Sequence, residues 1–218
     1  MKNIVLFLLG ILLVACSRDA TVGLSDYMQG ARYLQGIGVE KNEQKAVEYL
    51  TRASDLGNAK AQVALGYLYL RGAGVEKDET IAMKLFRRAA EQGERDAQYN
   101  TGLAYVRGIG TEKDLPEAFM WFTKAALQDD GGSQFNLGLM YLNGEGVVKD
   151  PLLAFAWFSI AAENAYEGAK GTREFARQAL SSEQLGEAQG VIDDIKKRIK
   201  KPRPEALSSD IENPDQPL

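Results

Sequence analysis

From Asn58 to Leu70 the apolar positions Ala61, Leu65, Gly66 and Tyr69 fall within one arc at about 100° per residue, which predicts a helix. A second amphipathic helix follows, with Ala82, Leu85, Phe86, Ala89 and Ala90 at i, i+3, i+4, i+7 and i+8. Between the two lies Leu70-Arg71-Gly72-Ala73-Gly74-Val75, a turn in which glycine closes the first helix and Val75 tucks beneath. The turn recurs as Gly36-Ile37-Gly38-Val39, Gly108-Ile109-Gly110-Thr111 and Gly144-Glu145-Gly146-Val147, at an unbroken spacing of 36 residues. Whole columns recur with it: Gly30/Gly66/Gly102/Gly138, Tyr33/Tyr69/Tyr105/Tyr141, Ala46/Ala82/Ala118/Ala154 and Ala53/Ala89/Ala125/Ala161. A fixed period of this length marks a solenoid of stacked helix-turn-helix copies.

Punctuation agrees with the pattern. Asn42, Asp78, Asp114 and Asp150 precede the second helices, where their side chains accept from free first-turn amides. Pro151 takes the first helical position, and Glu117 stands three residues after Asp114 as in a capping box. Gly57 and Gly93 end the second helices of the first two copies; Asp129 and Ala165 replace them later, so those ends are expected to move towards Gly131 and Gly168. Gly66 and Ala89 are expected to let two helix backbones approach. The bulky columns Tyr49/Leu85/Trp121/Trp157 and Leu50/Phe86/Phe122/Phe158 then form the core, which makes both tryptophans structural. A helix of about 12 residues is marginal alone, so copies must stack.

The order Ala61-x-x-x-Leu65-Gly66-x-x-Tyr69-x-x-Gly72-x-Gly74-Val75-x-x-Asp78-x-x-x-Ala82-x-x-x-Phe86-x-x-Ala89-Ala90-x-x-Gly93 resembles the Sel-1-like repeat family, which is related to tetratricopeptide repeats. Departures are Ser54 for Ala, Thr101 for Leu and Thr111 for Val; none breaks a helix. The resemblance implies an all-α fold, a right-handed α/α solenoid (superhelix) with copies at about 23–57, 58–93, 94–129 and 130–166. After Gly168 the period fades. A polar-faced helix at about 169–179 and a last helix from Ser181 to about Lys197, opened by a Ser181/Gln184 capping box, are expected to seal the end over 167–200. From Lys196 to Arg203 six of eight residues are basic, read as a solvated helix end, and the Pro-rich stretch 201–218 is read as a disordered tail.

Composition narrows the chemistry. Net charge is −4, without the basic footprint of a nucleic-acid binder. The sequence has no histidine, which removes imidazole from catalytic and zinc schemes, and neither a Gly-x-Ser-x-Gly nor a P-loop spacing occurs. No cofactor and no metal site is expected. The sole cysteine, Cys16, excludes an intrachain disulfide. It follows Lys2, an apolar run from Ile4 to Val14, and Ala15, which reads as a secretory signal over 1–15 and a short tether over 16–22. Leu13-Val14-Ala15-Cys16 resembles the bacterial lipobox, which implies lipidation of Cys16 and membrane anchoring in the cell envelope. Ser17 after the cysteine leans, by resemblance to enteric lipoproteins, towards the outer membrane facing the periplasm.

A binding surface is read from what intra-copy packing leaves over. Opposite the core arc of the first helices lie Lys60, Val63, Tyr67, Leu70 and Arg71; then Asp96, Tyr99, Leu103, Val106 and Arg107; then Gly132, Phe135, Leu139, Leu142 and Asn143. In tetratricopeptide-like arrays this stripe lines the concave face. Leu34/Leu70/Val106/Leu142 barely varies and is assigned to stacking, whereas Lys60/Asp96/Gly132 and Gln35/Arg71/Arg107/Asn143 vary as a specificity surface should. The expectation is a groove floored by Tyr67, Tyr99 and Phe135 and rimmed by Arg71 and Arg107. Asn100 and Asn136 stand beside it, either bonding a ligand backbone or serving the fold. The functional expectation is a non-catalytic protein-interaction scaffold that binds an unknown protein or peptide. The alternative is an envelope hydrolase or a binder of peptidoglycan or β-lactam.

Overall fold

Each second helix begins where a cap residue places its side chain. Asn42 Oδ1 accepts from Lys45 N at 2.9 Å, Asp78 Oδ1 from Ile81 N at 2.8 Å, Asp114 Oδ1 from Glu117 N at 3.0 Å and Asp150 Oδ1 from Leu153 N at 2.9 Å. In the computed structural model, which describes residues 23–199, these caps open α2 (Glu43–Asp55), α4 (Glu79–Glu91), α6 (Leu115–Ala126) and α8 (Pro151–Glu163). The preceding helices are α1 (23–35), α3 (Ala59–Arg71), α5 (Arg95–Arg107) and α7 (Gly131–Asn143); α9 (Ala169–Gln178) and α10 (Ser182–Arg198) follow. Among the described residues there is no strand. Cys16, the signal and tether over 1–22 and the tail over 201–218 lie outside the described residues, as do Lys200, Lys201 and Arg203 of the basic stretch.

The chain divides at Glu94 and Arg95 into two compact units. The first holds α1–α4. Its core gathers Leu50, Ala53, Ala61, Ala64, Leu65, Leu68 and Leu85, with Val47, Tyr69 and Val75 packed around them. At Gly66 the expected approach is to a side chain: a Cβ there would stand 2.8 Å from Phe86 Cε1, so the missing side chain makes room for a ring. The turn is closed by main chain, with Gly72 in the left-handed region at φ 67° and Asp78 N donating to Tyr69 O at 3.0 Å. Gly74 has a further reason to lack a side chain. Its Cβ would lie 2.5 Å from the main-chain carbon of Glu43, so the turn of the second copy rests on the start of α2 in the first.

The second unit holds α5–α10. Gly102 faces Phe122 and Gly138 faces Phe158 as Gly66 faces Phe86, with Cβ positions 2.7 Å and 2.5 Å from the rings. Gly146 repeats the role of Gly74 against Leu115 at the start of α6. The capping box read at Asp114 is not closed. The amide that Glu117 would accept from already donates to Tyr105 O at 3.0 Å, the turn bond every copy makes. The helix ends of copies three and four are likewise not displaced. Asp129 and Ala165 take the left-handed place themselves, at φ 66° and 56°, because Asp130 N donates to Ala125 O and Tyr166 N to Ala161 O. Those are the closures that Asn58 N to Ala53 O and Glu94 N to Ala89 O make at Gly57 and Gly93.

α8 is apolar around its whole circumference, as expected of a helix enclosed on every side. It packs against α7, α9 and α10. Ala156 and Ile160 share a buried cluster with Ile192 and Ile195 of α10, and Lys196 Nζ pairs with the Glu163 carboxylate. α10 opens with a closed capping box, in which Gln184 N donates to Ser181 Oγ at 3.2 Å and Ser181 N to Gln184 Oε1 at 3.0 Å.

Candidate functional site

In the first unit the stripe belongs to α3. Lys60, Val63 and Tyr67 are half-buried, and Arg71, the last helical residue, is exposed. The Tyr67 ring meets Phe86 edge-on, centroids 5.2 Å apart, so one face of the aromatic floor is already seated on the core. Arg71 stands at the negative end of the α3 dipole, which favours a cation there. Nearby, burial pushes the Tyr27 hydroxyl above its ordinary pKa against the attraction of Lys60.

In the second unit the stripe is shared by α5 and α7. Asp96 is exposed and meets Arg95 Nε at 3.2 Å; Arg107 and Asn143 are exposed at the ends of their helices. Tyr99 leans on Phe122 at 6.0 Å and covers Gly132, where a Cβ would stand 2.9 Å from its Cε2. Phe135 lies against Phe158 at 5.4 Å and Tyr166 at 5.2 Å. Leu103 is a correction: at 6% exposure it lies in the cluster with Leu137 and Met140 of α7, so it joins copies and lines no open surface. Leu139, its counterpart, packs with Phe158 and with Ala176 of α9. Leu103 and Leu139 belong to stacking as much as Val106 and Leu142 do, unlike Tyr67 in the same column. The asparagines serve the fold: Asn100 Nδ2 donates to Asp96 O and Asn136 Nδ2 to Gly132 O, each at 2.8 Å. What stays open is a set of half-covered rings and exposed polar ends, an arrangement suited to binding.

One recurrent device escaped the sequence reading. Gln62, Gln98 and Gln134 are buried, and each Oε1 accepts from an amide 30 residues on, namely Gln92 and Gln128 at 2.8 Å and Asn164 at 2.9 Å. Gln62 Nε2 also donates to Ser54 O, and Gln134 Nε2 to Ala126 O, both at 3.3 Å, across to the preceding copy. The signal was present as a column at the 36-residue period, but a polar residue on an amphipathic helix is read as solvent-facing. Asp130 is a half-buried polar group beside Gln134. Its Oδ1 caps α7 by accepting from Ser133 N at 2.6 Å, and burial raises its carboxyl pKa despite that bond and the attraction of Arg95.

Among the described residues no group of three or more His, Cys, Asp or Glu is placed to hold a metal, and no helix is long and apolar enough to cross a membrane. Sel1 repeats match at residues 24–58, 59–94, 95–130 and 132–166. No curated protein matches the sequence. The crystal structure of a Sel1 repeat protein from Oxalobacter formigenes is similar at 34% identity and a TM-score of 0.64, over 83% of this chain and 67% of that one. So is c5321, described as a protective antigen of uropathogenic Escherichia coli displaying an SLR fold, at 28% identity and a TM-score of 0.55. That match covers 81% of this chain and 46% of c5321. The fold is all-α, of the α/α-solenoid class, whose members are in general protein-interaction scaffolds. Four consecutive matches, set on four turns that share one pattern of caps and closures, place this chain in the Sel1 repeat family.

Proposed function

We propose that this chain is a non-catalytic adaptor, held in the bacterial cell envelope by a lipid on Cys16, that binds a protein or peptide partner along its first helices. The observation that carries the reading is a division of labour within the repeat. Framework columns recur from copy to copy, while Lys60/Asp96 and Arg71/Arg107/Asn143 differ between copies and are half-buried (Lys60) or exposed (the others). Tyr67, Tyr99 and Phe135, on the same helices, offer half-buried ring surface, the kind of anchor that dominates binding energy. Guanidinium groups next to rings favour a segment carrying carboxylates.

A photoreactive residue at Tyr99, crosslinked in cells and followed by mass spectrometry, names the partner. The double change Tyr99→Ala, Arg107→Ala is then expected to abolish capture, with some loss of stability because Tyr99 also packs on Phe122; Arg107→Ala alone, at an exposed position, is expected to weaken capture with thermal unfolding nearly unaltered. Unchanged capture in both sinks the reading. Anchoring is tested by palmitate incorporation at Cys16 and by sensitivity to globomycin. Stabilisation of the chain by muropeptides or by a penicillin would instead favour the envelope-ligand alternative, because a ligand that binds only the folded state raises its melting temperature.

A further inference from the structure

We propose that the N-terminal edge of α1, formed by Leu24 and Met28 with Leu56 beside it, is a lipid-contact surface that seats the chain on the bilayer to which Cys16 tethers it. The inference rests on the anchoring reading and goes beyond it, from attachment to posture.

Leu24 is 49% exposed, Met28 56% and Leu56 44%. Leu24 and Met28 are four apart on one helix and share a face. Leu56 flanks the start of that helix, its Cβ 3.4 Å from where a side chain on Gly23 would begin. The other copies show that the fold does not ask for these residues. In the register of Leu24 they carry Lys60, Asp96 and Gly132; in that of Met28, Ala64, Asn100 and Asn136; in that of Leu56, Gln92, Gln128 and Asn164. The last column is the amide clamp. The first copy has dropped both halves of it, with Asp26 in the glutamine place paired to Arg52 at 3.1 Å. Three positions that are polar or small elsewhere in the array are thus large and apolar at one end only, and exposed there.

The occupant follows from chain length. Six residues separate Cys16 from Gly23, and fully extended they reach about 20 Å. A lipid on Cys16 therefore keeps this edge within about 20 Å of the membrane, near enough for apolar side chains on an interfacial helix to reach it and gain by burial. Asp26, between Leu24 and Met28 on the same helix, is paired with Arg52 at 3.1 Å, which lowers the cost of bringing it near the lipid; exposed Asp55 beside Leu56 marks the polar rim of the patch.

The test uses a chain beginning at Cys16, which keeps every described residue. Its thiol is coupled to a maleimide phospholipid, so that anchoring is imposed. It is reconstituted in vesicles of equimolar phosphatidylethanolamine and phosphatidylglycerol with brominated acyl chains. In Met28→Trp the new indole is expected to be quenched well beyond the signal of the native tryptophans, and more than the indole of Ile37→Trp beyond the other end of α1. Adding Leu24→Ser is expected to lower the docked population about tenfold, the loss of one leucine transfer. Absence of quenching in Met28→Trp, or equal quenching in Ile37→Trp, overturns the proposal; Leu24→Trp repeats the reading should Met28→Trp fold poorly. The two readings fail separately. Palmitate labelling in cells without vesicle quenching keeps the anchor and discards this surface. Quenching without labelling keeps the surface and discards the anchor.

Discussion

Two side chains in the second unit sit in the wrong company, and each yields a measurement. Thr101 is fully buried with a hydroxyl that has no hydrogen-bond partner, in a column filled elsewhere by Leu65 and Leu137. An unpaired buried hydroxyl costs about 1–3 kcal/mol, so Thr101→Val is expected to stabilise by about 1 kcal/mol. In a chain of this size that raises the melting temperature roughly 2–4 °C. Asp130 is buried enough to lift its carboxyl pKa above the ordinary 3.8. A raised folded value means that the unfolded chain gives up the proton first, so this group's contribution to stability is lost as pH rises through the folded value. Asn58 already performs the same capping in the second copy, accepting from Ala61 N at 2.9 Å. Asp130→Asn is therefore expected to unfold at higher temperature than the parent at neutral pH, the difference shrinking as pH falls towards 3.8. A difference independent of pH would contradict the burial argument.

At the scale of elements, the turn glycines separate two demands that look alike in sequence. Gly38 and Gly74 both lie in the left-handed region, at φ 69° and 70°. Alanine at either costs about 1–2 kcal/mol for that conformation. At Gly38 the new methyl would meet only Arg32 Nη2 at 3.1 Å, the end of a flexible side chain; at Gly74 it would strike the main chain of Glu43. Gly74→Ala is thus expected to cost about 1–3 kcal/mol more, by overpacking, and paired urea melts measure it. Helix positions, caps and core columns were legible in the sequence because they depend on neighbours a few residues away. The ends at Asp129 and Ala165 were not, because the closing bond to Ala125 or Ala161 holds the backbone where a side chain resists it. The stripe was half legible. A helical wheel separates Tyr67 and Leu103 from the intra-copy core but is blind to the helix of the next copy, which is what covers Leu103.

For the molecule as a whole, the two ends of the array are finished differently. At the C-terminal end α10 folds over α8, and Ile192 and Ile195 complete a core that the last repeat leaves open. Replacing both with alanine is expected to cost about 2–5 kcal/mol for each side chain and to strip amide-exchange protection from α8 first; uniform loss across the unit would argue against a sealing role. The glutamine clamp carries a consequence for how such an array can lengthen. A clamp gives a hydrogen bond backwards to a carbonyl of the copy before and receives one from its own copy, as Gln134 does with Ala126 and Asn164. The column begins with Asp26 and ends with Lys170, neither of which can play that part in both directions. A gene duplication that copies an interior 36-residue unit inherits donor and acceptor together and inserts without leaving a buried amide unmatched. One that copies either end does not, so the chain is built to grow from its middle.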